Sequence, residues 1–166
     1  KTNIEGVKEG DYAMIMGYPG RTSRYLTSFG IEQAINGRNP AIINGFGTKL
    51  ETWKKFMDED PAIRLMYAAK YASIANTWKY YIGQTQGLKK LDVKSKKLKI
   101  ENQFHNWVEA GDADRKKQYG NALNTIKEYH SEWDGQVVLS TYAGLCLAGG
   151  AEFMGHAVEL KGALTA

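Results

Sequence analysis

The apolar positions of this chain recur mostly three and four residues apart, which is the period of an α-helix. This spacing predicts helices over residues 29–35, 48–57, 61–82, 92–110 and 115–133, followed by a last apolar segment over 136–164. The positions predicted to face inward are Leu50, Trp53, Phe56, Met57, Ile63, Met66, Tyr67, Tyr71, Ile74, Trp78, Leu98, Phe104, Trp107, Val108, Leu123, Ile126, Tyr129 and Trp133. The connections are short, so we expect a mainly α domain of antiparallel helices.

Local signals set the predicted helix ends. Asp60 is a suitable cap and Pro61 a suitable first helical residue, so a helix is predicted to start there. Pro40 suits the first turn of the preceding helix. Glycine-containing positions are predicted to end, weaken or bend helices, and they are Asn36-Gly37, Gly45, Gly47, Gly83, Gly87 and Asp134-Gly135.

The first 21 residues have a different pattern. Tyr12 to Met16 is a short apolar run with strand character, and Tyr18-Pro19-Gly20 favours a tight turn. From Thr22 onward the pattern is helical. We therefore divide the chain into a short N-terminal β segment, residues 1–21, and a helical domain, residues 22–166.

Composition and charge narrow the class of protein. Hydrophobic residues make up 43% of the chain and charged residues 24%, as in ordinary folded domains. No apolar run approaches the roughly 20 residues that span a bilayer. Cys146 is the single cysteine and is predicted to be a buried thiol. The net charge of +4 comes largely from lysines between Lys89 and Lys99, which predict a solvated helix face or, alternatively, a nucleic-acid contact.

The residue types that carry catalysis show no catalytic spacing. The serines lie outside nucleophile motifs, and His105, His130 and His156 lie in helical sequence, so no catalytic residue is assigned. No metal-ligand motif and no cofactor motif are present. Asn76 stands out as a polar residue that we expect inside the apolar, aromatic face of the helix predicted over 61–82, near Tyr71, Ile74, Trp78, Tyr80 and Tyr81. A buried amide must be paired, so Asn76 either bonds a neighbouring helix or binds a ligand.

Two stretches together carry a resemblance to a known family. One is Met14 to Ser28, which contains Gly-Tyr-Pro-Gly-Arg-Thr, and the other is Tyr67 to Gln84, which contains Ala-Asn-Thr-Trp-Lys. In this order they resemble the S46 serine peptidases, the bacterial dipeptidyl peptidases. The resemblance covers most of the chain but only the middle of such an enzyme, so we expect a piece of a longer protein.

The resemblance implies a specific role for this piece. Residues 1–21 would end a trypsin-like catalytic barrel, and residues 22–166 would form a helical cap in which Asn76 binds the free amine of an oligopeptide substrate. The parent would be a homodimer of the periplasm or cell surface, and the fragment alone would be inactive. Two alternatives stay open: a helical protein-interaction module, in which Asn76 is satisfied inside the fold and lines no cavity, and a nucleic-acid-binding domain using the Lys89–Lys99 cluster.

Overall fold

All regular secondary structure in the described part of the chain is helical. The structure is a computed structural model that describes residues 6–14, 16–18, 20, 22–150 and 156. Its helices are α1 (Ser28–Gln33), α2 (Asn39–Glu59), α3 (Pro61–Lys90), α4 (Val93–Glu109), α5 (Ala113–Tyr119) and α6 (Ala122–Ala143). Two π-helical segments, π1 (Ala34–Arg38) and π2 (Gly144–Ala148), follow α1 and α6.

The first helix runs through the predicted stop at Asn36-Gly37. Thr27 caps α1 by accepting a hydrogen bond from the Gly30 N–H, and the chain then passes through π1 directly into α2. A Cβ on Gly37 would lie 3.4 Å from Val138 Cγ2, so this glycine allows α6 to pack closely against π1. Close packing therefore overrides the local stop signal, and the predicted helix end is wrong.

The glycines of α2 also lie inside regular helix. We predicted that regular helix would begin near Thr48, but α2 begins at Asn39 with Pro40 in its first turn. A Cβ on Gly45 would lie 2.7 Å from Leu145 Cδ1, and one on Gly47 would lie 3.3 Å from Trp78 Nε1. Both glycines thus make room for side chains of neighbouring segments.

Helices α2 and α3 form an antiparallel hairpin. Asp60 caps α3 by accepting from the Ala62 N–H, as predicted. Contacts then follow the antiparallel register: Trp53 meets Tyr67 edge-on with ring centroids 5.1 Å apart, and the Trp78 indole N–H donates to the Ile43 carbonyl. At 30 residues α3 is about 45 Å long, and it continues past the predicted ends at Gly83 and Gly87.

The remaining helices pack around α1 and the start of α2. Helix α4 is antiparallel to α1, because Ser28 bonds Glu101 while Glu32 pairs with Lys94. Helix α6 instead runs parallel to the α1–π1–α2 segment, as the successive contacts Gly30–His130, Gln33–Asp134, Gly37–Val138 and Gly45–Leu145 show. The expectation of antiparallel neighbours therefore holds for two helix pairs but is wrong for α6.

The predicted helix over 115–133 is divided and extended. Asp112 caps α5, which ends at Tyr119, and α6 starts after Asn121. Helix α6 then continues through the predicted break at Asp134-Gly135. A Cβ on Gly135 would meet no atom within 4 Å, so this glycine lies at an open position. It lowers the stability of α6 only through its low helix propensity.

A small core lies where α1, π1, α2 and α4 meet. The fully buried apolar residues among those described are Ile31, Ala34, Ala41, Ile42, Leu50 and Val108. No residue of α3 or α6 is fully buried. Several positions predicted to face inward are instead substantially exposed, namely Phe56, Met66, Leu98, Trp107, Ile126, Tyr129 and Trp133. The helical period is right, but the described chain covers these side chains only in part.

The predicted β segment is not confirmed. Tyr12, Met14 and Met16 are exposed and belong to no strand, while Ile15 lies outside the described residues. Pro19, Arg21 and most of the residues after Gly150 also lie outside the described ranges. The division at residue 21 therefore stays a prediction.

Candidate functional site

Asn76 lies near the middle of α3, and its side chain is exposed. It makes no side-chain hydrogen bond with the residues that the structure describes. Ile74 and Trp78, which face α2, lie about 160–200° around the helix from Asn76. The prediction that Asn76 sits within the apolar, aromatic face of the helix is therefore wrong. An exposed amide needs no partner inside the fold, so its acceptor and donor groups are available to a ligand.

The surface around Asn76 consists largely of small and apolar side chains, with the exposed Ser73 and Lys79 at its edges. We call it the Asn76 face, and its exposed members on α3 are Leu65, Ala69, Ala72, Asn76, Tyr80 and Gly83. Leu65 is 83% exposed and Tyr80 is 56% exposed. Small side chains let the backbone of another chain approach the helix closely. The Asn76 amide could then form hydrogen bonds with the polar groups of that backbone. The arrangement leaves room for the backbone of an extended peptide.

The position of α3 is fixed by contacts on its opposite side. The Trp78 indole N–H donates to the Ile43 carbonyl at 3.0 Å, and the indole lies against Gly47. One helical turn away, Ile74 is half-buried on the same side. These contacts hold the middle of α3 against α2 and leave Asn76 directed outward.

A buried asparagine continues this anchoring toward the end of α3. Asn39 is fully buried on α2, and its Nδ2 donates to Gln84 Oε1 and to Thr85 Oγ1, each at 3.0 Å. Gln84 Nε2 in turn donates to the Tyr80 hydroxyl at 2.8 Å. Sequence reasoning missed this network. The four-residue spacing of Tyr80 and Gln84 was a signal for their pairing, but nothing local points to Asn39.

Serine and histidine side chains make structural hydrogen bonds. The Ser28 N–H and hydroxyl both donate to the Glu101 carboxylate, each at 2.6 Å, and Ser28 is 1% exposed. His130 Nδ1 lies 3.1 Å from Gln33 Oε1, in a bond that joins α6 to α1. These residues connect helices and do not form a nucleophile–base pair.

The lysine cluster is partly used inside the fold. Lys94 forms an ion pair with Glu32 at 2.8 Å, and the Lys97 ammonium donates to the Arg24 backbone carbonyl. Lys89 and Lys90 lie in the last turn of α3, where positive charge is favourable. Two of the six lysines thus make contacts inside the fold, and the other four are exposed.

A groove between α2 and π2 exposes the cysteine. It has a volume of about 510 Å³ and is lined by Phe46, Trp53, Tyr142 and Leu145 among others. Cys146 borders it and is exposed, so the prediction of a buried thiol is wrong. A short side chain near a helix end is covered only if another segment packs over it, and no described segment does so at Cys146.

Across the described ranges, no group of three His, Cys, Asp or Glu side chains is placed to hold a metal ion. Nor does the described part of the chain contain a helix with the length and hydropathy that crossing a bilayer requires.

Comparison with known proteins identifies the family. The family model for peptidase S46 matches residues 1–165, nearly the whole chain. The chain belongs to the peptidase S46 family. Among relatives of this S46 chain, the Asp/Glu-specific dipeptidyl-peptidase of Flavobacterium psychrophilum is 42% identical over 130 residues, which are 78% of the chain and 18% of that enzyme. Dipeptidyl-peptidase 7 of Porphyromonas gingivalis is 39% identical over 150 residues, 90% of the chain and 21% of that enzyme.

The S46 chain therefore spans about a fifth of the length of these relatives. The family assignment made from Met14–Ser28 and Tyr67–Gln84 is confirmed. A helical, peptidase-related domain is likewise supported, since the relatives are named as dipeptidyl peptidases and the described chain is helical.

Proposed function

We propose that residues 22–166 form the helical cap of a serine dipeptidyl peptidase, which releases dipeptides from the N-termini of oligopeptides. In this proposal, Asn76 binds the free amine of the substrate. The observation that supports it is the exposed amide on α3 without an internal partner, in a chain whose relatives are named dipeptidyl peptidases. The catalytic residues would lie in the remainder of the parent.

The chemistry of the Asn76 face suits this role. An enzyme that removes two residues must hold the substrate amine at a fixed distance from the nucleophile. The amide oxygen of Asn76 can accept from an ammonium group without placing a second full charge in the site. The small side chains around it, Ala69 and Ala72 among them, leave room for the peptide backbone.

The protein-interaction alternative predicted that Asn76 would be satisfied inside the fold and would line no cavity. Its side chain is exposed and unbonded to the described residues, and it does not border the groove between α2 and π2. We favour the cap because the chain belongs to the peptidase S46 family. On the resemblance alone, we further propose that residues 1–21 end the catalytic barrel, that the parent is a homodimer in the periplasm or at the cell surface, and that the isolated chain is inactive.

The test uses the full-length enzyme that carries this chain. We expect Asn76→Ala to lower kcat/KM for a chromogenic dipeptidyl substrate by about 10- to 150-fold, the value of a hydrogen bond to a charged group. Asn106→Ala is the matched control, because Asn106 is also exposed on a helix and makes no side-chain bond with the described residues.

Three outcomes separate the possibilities. A folded Asn76→Ala enzyme with strongly reduced activity and an unchanged Asn106→Ala enzyme would support the proposal. An active parent that Asn76→Ala leaves unaffected would remove the amine-binding role. A parent without dipeptidyl-peptidase activity, or an active isolated 166-residue chain, would contradict the cap proposal.

A further inference from the structure

The hydrogen bonds between α2 and the end of α3 have a defined direction. Thr85 Oγ1 donates its proton to the Tyr81 carbonyl at 2.8 Å, so it accepts from Asn39 Nδ2. The other Asn39 N–H goes to Gln84 Oε1. The Gln84 amide therefore turns its Nε2 outward, where it donates to Tyr80 Oη.

The opposite direction is less favourable. If both amides were rotated by 180°, the amide oxygen of Asn39 would face Gln84 and Thr85, and its Nδ2 would take the place of Oδ1. Oδ1 is buried and has no partner in the described structure. Two N–H groups of Asn39 would then be buried without an acceptor, whereas the observed arrangement leaves one oxygen unpaired. Since each unpaired buried group costs about 1–3 kcal/mol, the observed direction is preferred.

The hydroxyl proton of Tyr80, at the end of this series of hydrogen bonds, is not donated to any described residue. Tyr80 Oη accepts from Gln84, so its own proton must point away from Gln84. No acceptor for this proton occurs among the described residues. Tyr80 is 56% exposed and lies one turn beyond Asn76 on the Asn76 face. The network thus leaves a hydroxyl donor on the same helix face as the Asn76 amide.

We propose that the Tyr80 hydroxyl donates a hydrogen bond to the carbonyl of the first residue of a bound peptide, and that Gln84 orients it. This inference rests on the proposed function, because it takes the peptide amine to be at Asn76. Residues i and i+4 of a helix have Cβ atoms about 5–6 Å apart, and the first carbonyl is the backbone acceptor nearest to the amine. Asn76 would thus bind the amine while Tyr80 binds the adjacent carbonyl.

The test again uses the full-length enzyme. Tyr80→Phe removes only the hydroxyl, and we expect kcat/KM to fall about 2- to 10-fold, the value of one neutral hydrogen bond. Tyr129→Phe is the matched control, because Tyr129 is 57% exposed on α6 and lies outside the Asn76 face.

Gln84→Glu tests the direction of the bonds. A carboxylate has no N–H to donate, so Tyr80 would turn its proton toward Glu at this position. The hydroxyl proton would then no longer be available to the substrate, although the Tyr80 side chain itself is unchanged. We expect Gln84→Glu to lower kcat/KM as much as Tyr80→Phe, with little further loss in the double variant. A purely structural role of Tyr80 predicts no such equivalence.

A modified substrate identifies the acceptor. Replacing the first carbonyl oxygen with sulfur weakens hydrogen-bond acceptance, so it should slow the wild-type enzyme but add little to the effect of Tyr80→Phe. The inference would be overturned if the sulfur substitution and Tyr80→Phe lowered kcat/KM additively, or if Tyr80→Phe were as active as Tyr129→Phe. If Asn76→Ala were still impaired in that case, the proposed function would stand. A wild-type parent that releases no dipeptide would overturn the proposed function and this inference together.

Discussion

Removing the Glu101 carboxylate should destabilise the whole helical core. Glu101 lies on α4 and accepts two hydrogen bonds of 2.6 Å from Ser28, one from its N–H and one from its hydroxyl. Ser28 is the first residue of α1 and is 1% exposed, so water cannot readily replace the carboxylate. Glu101→Ala would leave both donors unpaired and would separate α1 from α4.

The magnitude follows from these contacts. A hydrogen bond to a charged group contributes about 1.5–3 kcal/mol, and a negative charge near a helix N-terminus adds about 0.3–1 kcal/mol. The two bonds share one carboxylate and are not fully additive. We therefore expect Glu101→Ala to lower the free energy of unfolding by about 2–4 kcal/mol. Glu101→Gln should cost about half as much, because its amide oxygen still accepts from the Ser28 N–H.

Urea unfolding of the 166-residue chain, followed by circular dichroism, measures this change. Glu128→Ala is the control, because Glu128 is exposed on α6 and its side chain makes no hydrogen bond with the described residues. If Glu101→Ala and Glu128→Ala unfolded at the same urea concentration with equal slopes, the carboxylate would not stabilise α1 as we reason.

Three further changes test the packing of α2 and α3 in the same assay. Gly83→Ala should stabilise the chain by about 0.5–1 kcal/mol, because the new Cβ meets open space. Gly45→Ala should stabilise it less, because Leu145 must shift to make room for the new Cβ. Equal stabilisation by the two substitutions would contradict this contrast. Trp78→Phe should cost about 1 kcal/mol by removing the indole bond to α2, and an unchanged midpoint would refute that. The hydrogen bond from Lys54 lowers the pKa of Asp58 below its ordinary value of 3.8, so its stabilising effect is present above that value and is lost as the pH falls through the lowered pKa. The stability difference between the wild type and Asp58→Asn should therefore shrink with acidification, and a growing difference would contradict the sign.

Helix starts were readable from the sequence because capping is local. Asp60, Asp92 and Asp112 each accept from a backbone N–H at the start of a helix, in segments where helix starts were predicted. Such bonds involve residues two or three positions apart, so a short stretch of sequence contains the whole interaction. The family resemblance likewise rested on short continuous stretches.

Helix ends and faces were less predictable because they depend on distant partners. Gly37 and Gly45 look like breaks in isolation, yet each admits a side chain roughly 100 positions away. Exposed apolar residues such as Trp133 show a second limit. The helical period identifies the apolar face of a helix, but it does not show whether another segment packs against that face. The outward direction of Asn76 required the packing of α3 on α2, whereas its separation from Ile74 and Trp78 follows from the helical period alone.

The most direct measurement of the central claim is a crystal structure of the full-length enzyme with a dipeptide bound. The account predicts that Asn76 Oδ1 lies about 2.7–3.2 Å from the amino nitrogen of the dipeptide, with the Asn76 face lining the cleft. A dipeptide whose amine is bound by other groups, with Asn76 facing bulk solvent or another subunit, would contradict it.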